Sequence, residues 1–268
     1  MKPICLTIAG LDPSGGAGII ADIKTFTAFG CWAAAAVSSI TFQNTAGVFG
    51  AVHQTAETVR KQVEPVLDES DVAAVKTGML PTQEIIEVVA RLIKERELKH
   101  VVVDPVVRAT SGFDLIDENA LRSLIEKLFP LADLVTPNIP EAERIAQLKI
   151  DSPEAVKTAA GIMRTMGARN VLIKGGHLRV KREKGKVESE RRIARDYLFI
   201  GEKLKIFEAE FIETTATHGT GCTLAAAIAA NLALGNDLTE SVRIAKEFVT
   251  EAIRTAPNLG KGNWPINI

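Results

Sequence analysis

The run His100-Val-Val-Val-Asp-Pro105 decides the fold class. Three successive valines leave no polar face, so the strand predicted over His100–Asp104 must be covered on both sides, as strands inside a parallel sheet are. Short β-branched runs recur on either side of it: Ile4–Ala9, Ala35–Thr41, Val72–Lys76, Leu134–Thr136 and Val171–Lys174, each closed by Gly, Pro, Asn or Asp. Between them the apolar period changes to that of a helix, with Val59, Val63, Val66 and Leu67 in Glu57–Leu67, and Ile85, Val88, Val89, Leu92 and Ile93 in Gln83–Glu95. Strand and helix alternation of this kind predicts a three-layer α/β/α fold, with a mostly parallel central sheet and helices on both faces.

Past Gly176 the pattern shifts. Arg179–Arg195 carries eight basic and three acidic residues, and it precedes two strand-like runs, Tyr197–Ile200 and Lys203–Phe211, joined by Gly201-Glu202 at hairpin length. The charged stretch, residues 179–196, reads as a solvated loop or a hairpin extension at a sheet edge in preference to a flap for phosphates. Two long helices follow, Gly221–Leu234 and Thr239–Arg254. With no composition break and no repeat beyond the βα alternation, residues 1–268 are expected to form a single domain.

Lys and Arg number 32 against 33 Asp and Glu, a net charge of −1, so nucleic acid and anionic membrane surfaces are poor partners for the chain as a whole. The +5 of Arg179–Arg195 leaves −6 for the remainder. Aromatic residues are 5%, too few for base-stacking platforms. Three cysteines, at 5, 31 and 222, argue for a reducing compartment, and neither a signal peptide nor an apolar run of spanning length is present; a cytoplasmic protein is expected.

The first chemistry-bearing feature is the loop Gly10-Leu-Asp-Pro-Ser-Gly-Gly-Ala-Gly18 between a strand and a helix starting near Ile19. Glycine lets backbone approach a ligand there, and a helix N-terminus favours an anion. Ala17-Gly18-Ile19 lacks the Lys-Ser/Thr of a P-loop. Gly16-Ala-Gly18-Ile-Ile-Ala21 matches the dinucleotide pattern, but no acid falls between Ile23 and Ala56 to take a ribose. Asp22, one turn into the helix, reads either as a helix-dipole partner or as a polar contact to the ligand.

The most specific feature is Thr217-His-Gly-Thr-Gly-Cys222, directly before a helix of small residues. Gly219 and Gly221 allow the amides of Gly219, Thr220, Gly221 and Cys222 to turn inward as an anion hole, suited to a phosphoryl group in transfer. The same helix start is expected to depress the Cys222 pKa and to favour a thiolate able to take a proton or attack a carbonyl. The remaining polar residues fall at strand carboxyl ends, where α/β sheets hold ligands: Asp104, Asn138, Glu141 and Lys174. Asp104 and Glu141 could hold Mg²⁺ directly or through water, and Lys174 could meet phosphate oxygens. Gln43 offers an amide for paired hydrogen bonds, and Met79 offers a pliable apolar wall, together suiting a flat neutral heterocycle.

Read in order, Leu6–Phe26, Ile40–Val48, Lys76–Leu80, Val101–Val106, Leu134–Glu143, Val171–Leu178 and Thr217–Ala230 resemble the hydroxymethylpyrimidine/phosphomethylpyrimidine kinases of thiamin biosynthesis, within the ribokinase-like superfamily. The resemblance covers nearly the whole chain. It implies a ribokinase-like fold and ATP- and Mg²⁺-dependent phosphorylation of 4-amino-5-hydroxymethyl-2-methylpyrimidine, then of its monophosphate, by a homodimer. It also implies that Gln43 meets the aminopyrimidine edge, that Met79 and Val106 face its ring, and that Gly10, Ala17 and Asp22 surround it. Cys222 becomes the general base, Gly219 and Gly221 serve the anion hole, Asp104, Asn138 and Glu141 organise Mg²⁺ and phosphate, and Lys174 contacts phosphate. The adenine pocket is expected to involve the two C-terminal helices. Leu11, where the family commonly has Ser, and Arg108 and Thr110, in place of an apolar residue and Lys, depart from the pattern and bear on the second phosphorylation. Pyridoxal kinase is the close alternative, a Cys-His hydrolase using Cys222 and His218 the remote one, and a noncatalytic ligand-binding protein of the same fold remains if Cys222 is only structural.

Overall fold

The computed structural model describes residues 2–108, 114–175 and 193–268. One nine-stranded sheet runs through them in the order β3-β2-β1-β4-β5-β6-β7-β8-β9. Its centre is parallel: β2 (Trp32–Asn44), β1 (Ile4–Leu11), β4 (Val72–Thr77), β5 (Val101–Val103), β6 (Leu134–Val135) and β7 (Asn170–Lys174). Antiparallel strands close both edges, β3 (Gly47–His53) on β2, and β8 (Ile193–Ile200) with β9 (Lys203–Glu210) on β7.

Strand periodicity divides the apolar residues between two cores. Ile8, Val75, Val101, Val103, Val135, Val171 and Ile173 face one side, whereas Cys5, Ala74, Val102, Leu134 and Leu172 face the other. The first core is covered by α2 (Ala56–Glu69), α3 (Gln83–Glu95), α4 (Glu118–Ser123), α5 (Ile139–Ala146) and α6 (Pro153–Thr165). The second is covered by α1 (Gly18–Ala28), α7 (Thr220–Ala233) and α8 (Leu238–Arg254). The predicted three-layer architecture is the one observed. Among the described residues, no helix is long and apolar enough to cross a membrane.

Two differences from the sequence expectation shape the site. β2 runs from Trp32 to Asn44, past the predicted Ala35–Thr41, because it pairs with β3 as well as β1. β3 itself, Gly-Val-Phe-Gly-Ala-Val-His, gives little strand signal because it is an exposed edge strand with two glycines. β8 likewise starts at Ile193, earlier than Tyr197, since Ala194, Arg195 and Asp196 pair with β9. Of the charged stretch 179–196, residues 193–196 thus belong to β8, and the rest, like Thr110, lie outside the described residues.

Candidate active site at the carboxyl ends of the strands

Register irregularities at Ala9/Gly10 in β1 and at Phe42/Gln43 in β2 fall where these strands reach the cleft. The glycine loop beyond β1 is fastened by one carboxylate. Asp12, 1% exposed, accepts from the Ser14 N–H (2.8 Å) and hydroxyl (2.7 Å) on Oδ1, and from the Ala17 N–H (2.9 Å) and His218 Nε2 (2.7 Å) on Oδ2. Burial opposes charge on Asp12, but the His218 and Ser14 hydrogen bonds outweigh it and hold the carboxyl down at about 2. His218 therefore joins the first glycine loop to the second, residues 217–222.

The two loops pack backbone to backbone. Gly219, the N-cap of α7 with φ +86°, has no room for a side chain, because a Cβ would run into the Gly16 carbonyl oxygen. Gly18, at φ +58°, meets the Gly10 carbonyl in the same way. The Gly18 N–H reaches the Cys222 sulfur. The C-terminal segment completes the arrangement: Trp264 and Ile266 flank the His218 backbone, and Asn263 N–H donates to the Thr45 carbonyl (2.8 Å), two residues beyond Gln43.

A cleft of about 1650 Å³ opens over this junction, and its wall includes Gly10, Ala17, Gln43, Met79 and Val106 on one side and Gly219, Thr220, Gly221 and Cys222 on another. Asp104, Asn138, Glu141 and Lys174 lie along the same cleft. Lys174 Nζ is 2.8 Å from Asp104 Oδ1, which also accepts from the Thr136 hydroxyl at 2.9 Å. Burial opposes the Asp104 charge, and Lys174 and Lys76 overcome it, keeping its carboxyl below the usual range. Asn138 and Glu141 form a reciprocal capping box at the start of α5, each side chain bonded to the other's N–H at 2.8 Å. Burial pushes Glu141 up to about 7. Both carboxylates suit Mg²⁺, which takes one or two protein carboxylates and completes its shell with water and phosphate oxygens. Among the described residues no group of three His, Cys, Asp or Glu forms a self-sufficient metal cage.

Three expectations need correction. Cys222 is not acidified by its helix start: burial pushes its thiol up to about 11, with Asp22 and Asp104 adding to the rise and Lys76 and the Gly18 amide only partly offsetting it. Asp22 does not line the cleft; it is fully buried one layer below, bonded to Lys76 Nζ (2.8 Å) and the Thr7 hydroxyl (2.6 Å). His218 directs Nε2 at Asp12, which removes the nucleophile–base bond that a Cys-His hydrolase requires.

Lys76, Asp12 and the Asp196–Lys246 ion pair (2.6 Å) are site residues that sequence reasoning passed over. Asp196 Oδ1 accepts from the Gly175 N–H at 3.1 Å, so this pair adjoins Lys174. Beyond it the cleft continues past Leu224 of α7 and Lys246, Val249, Thr250 and Ile253 of α8, the two helices expected to flank adenine. Leu11 keeps a backbone role, its carbonyl accepting from the Thr41 hydroxyl at 2.8 Å, and Arg108 is paired with Asp114 at 2.9 Å on the rim.

The family model described as phosphomethylpyrimidine kinase matches residues 12–267. A hydroxymethylpyrimidine/phosphomethylpyrimidine kinase of Staphylococcus aureus is 42% identical over 269 residues, covering 100% of this chain and 94% of that protein. Among solved structures, a phosphomethylpyrimidine kinase of Clostridium difficile has a TM-score of 0.79 at 40% identity, covering 94% of this chain and 100% of that one. A pyridoxal kinase of S. aureus in complex with AMP-PCP and pyridoxal has a TM-score of 0.87 at 32% identity, covering 100% and 93%.

Proposed function

The chain belongs to the phosphomethylpyrimidine kinase family, and from that premise we propose how its cleft phosphorylates 4-amino-5-hydroxymethyl-2-methylpyrimidine, and then the monophosphate, with ATP. The observation that carries the reading is the convergence of an amide, an apolar wall, an anion hole and a lysine–carboxylate pair on one cleft. Gln43 pairs with the aminopyrimidine edge, Met79 and Val106 face the ring, and Gly10 and Ala17 close in from the first glycine loop.

The hydroxymethyl oxygen attacks the γ-phosphorus. Its O–P bond forms as the bond to the β–γ bridging oxygen breaks, and ADP keeps that electron pair. The alcohol proton passes to the thiolate form of Cys222, which burial makes the minor form at neutral pH. The amides of Gly219, Gly221 and Cys222 and the Lys174 ammonium hold the transferring group and stabilise charge where it develops; the Thr220 N–H, expected among them, is instead taken by the Thr217 carbonyl at 3.4 Å. Asp104 and Glu141, with Glu141 fixed by Asn138, would hold Mg²⁺ through oxygen or water; when bound, the ion supplies charge neutralisation to the phosphates. The adenosine moiety lies along Val249, Thr250 and Ile253.

A pyridoxal kinase reading has one specific support, the likeness to solved pyridoxal kinases. The ratio of kcat/KM for the hydroxymethylpyrimidine and for pyridoxal decides between them: a ratio well above one is expected, and a ratio below one overturns the pyrimidine reading. Cys222→Ala should lower kcat by ~10²-fold or more with ATP binding retained, as for loss of a general base. Unchanged turnover would remove Cys222 from that role.

Where β2 pairs with β3, the sheet exposes Phe42 (52%), Phe49 (70%) and Val52 (52%), while Trp32 (65%) is exposed at the other end of β2. That apolar strip supports a homodimer formed across it. The absence of a membrane-length helix among the described residues is consistent with the proposed cytoplasmic location.

A further inference from the structure

The C-terminal stretch Gly260-Lys-Gly-Asn-Trp-Pro-Ile266 has no part in the reaction above, yet it touches both sides of the acceptor site. Strand β2 parts from β1 after Ile40, so Gln43 stands past the parallel sheet, on a hairpin whose other strand, β3, is the sheet edge. A two-stranded hairpin with glycines in one strand holds its tip weakly unaided. Here the tip is tied down. The Thr45 hydroxyl accepts from the Lys261 N–H (3.1 Å) and the Gly262 N–H (3.3 Å), and the Thr45 carbonyl accepts from the Asn263 N–H (2.8 Å). Among the described residues, the hydrogen bonds that reach residues 43–48 from outside the hairpin all come from this segment. Gly260, at φ +93°, and Gly262 lie so close to Thr45 that a Cβ on either would run into it.

The same segment is fastened to the phosphoryl side. The Trp264 N–H donates to the Thr215 carbonyl (3.0 Å), the Trp264 carbonyl accepts from the His218 N–H (3.1 Å), and the Ile266 N–H donates to the His218 carbonyl (3.4 Å). Pro265 packs on the first glycine loop, where a Cβ at Gly16 would come within 2.9 Å of the proline Cβ. Ile266 is buried, and the Asn267 N–H donates to the Ala252 carbonyl (3.0 Å), which anchors the end of the segment on α8. We propose that Gly260–Ile266 is a strap that holds Gln43 at a fixed place relative to the transfer loop, and that Thr45 is the positioning residue through which it acts. An amide ordered before the acceptor arrives costs less to bind against than one that must be ordered by it. The proposal rests on Gln43 meeting the acceptor ring, as in the kinase reading. The competing role is structural, in which the strap only adds stability to the fold.

The test compares wild type with Thr45→Val, which keeps the shape and removes the hydroxyl acceptor, with Thr45→Ser, which keeps the acceptor, and with Gly262→Ala, which pushes the strap off Thr45. Amide hydrogen exchange over residues 43–48, read without ligand, should be about tenfold faster in Thr45→Val and in Gly262→Ala, and close to wild type in Thr45→Ser. In steady-state kinetics the same two variants should raise KM for 4-amino-5-hydroxymethyl-2-methylpyrimidine by about tenfold and leave kcat and KM for ATP within about twofold, with Thr45→Ser restoring the wild-type KM. A strap that serves only stability would lower Tm and leave the constants of the folded variants where they were. That pattern, or unchanged exchange over residues 43–48 in both folded variants, or a loss confined to kcat or to KM for ATP, would overturn the proposal. If wild type phosphorylates no pyrimidine, the kinase reading fails separately and the strap is judged on the exchange rates alone.

Discussion

At the residue scale, a single buried carboxylate joins the two glycine loops of the site. Asp12 receives hydrogen bonds from the first loop and from His218 of the second, and these hold its carboxyl at about 2 against an ordinary 3.8 despite burial. A depressed acid contributes stability above its unfolded pKa and loses it as pH falls through the folded value, so the contribution is present above pH ~4 and gone below ~2. Asp12→Asn should be less stable than wild type at neutral pH by about 2 kcal/mol, and chemical denaturation should show the gap closing between pH 4 and 2. Sequence reasoning could not find this residue, because Asp12 in Leu-Asp-Pro-Ser has an ordinary turn signature and its partner lies 206 positions away. Cys222 was legible in position and misjudged in charge: the helix-start argument counts the favourable dipole and leaves out desolvation, which only the packed structure supplies. Asp22 was misjudged for the opposite reason, since a carboxylate one turn into a helix gives no sign that a lysine lies beneath it.

At the element scale, the site depends on α7 lying close to the sheet. Its residues Leu224–Leu232 are almost wholly buried, and five of them are alanine, so the backbone lies against β1, β4, β5 and α1 with little side chain between. Ala227→Leu would put an isobutyl group where a methyl now packs, costing about 1–3 kcal/mol. Thermal unfolding should show a Tm lower by roughly 2–10 °C for a chain of this size. The parallel strands were readable because β-branched runs with no polar face have few other places to go. The strand β3 was not, because Gly47 and Gly50 weaken it and its apolar residues face outward. The length of β2 follows from that missed pairing.

At the scale of the whole molecule, the near-zero net charge is compatible with a kinase whose anion affinity is local, as proposed for the start of α7 and Lys174. The largest apolar exposure is peripheral to the cleft, on β2 and β3. Val52→Glu, at an exposed position opposite Ile40, should convert a dimer to monomer in sedimentation velocity while leaving the monomer folded; a wild-type chain already monomeric at micromolar concentration would contradict the dimer. Layer order, strand direction and most of the cleft wall could be read along the chain because each βα unit announces its own end. The contacts between units, among them Asp12 with His218 and Lys76 with Asp22, required the fold. The account as a whole is tested most directly by the mass of the product formed when the protein is incubated with ATP, Mg²⁺ and 4-amino-5-hydroxymethyl-2-methylpyrimidine. It predicts the pyrimidine carrying first one phosphate and then two, and a pyrimidine recovered without any added phosphate would contradict it.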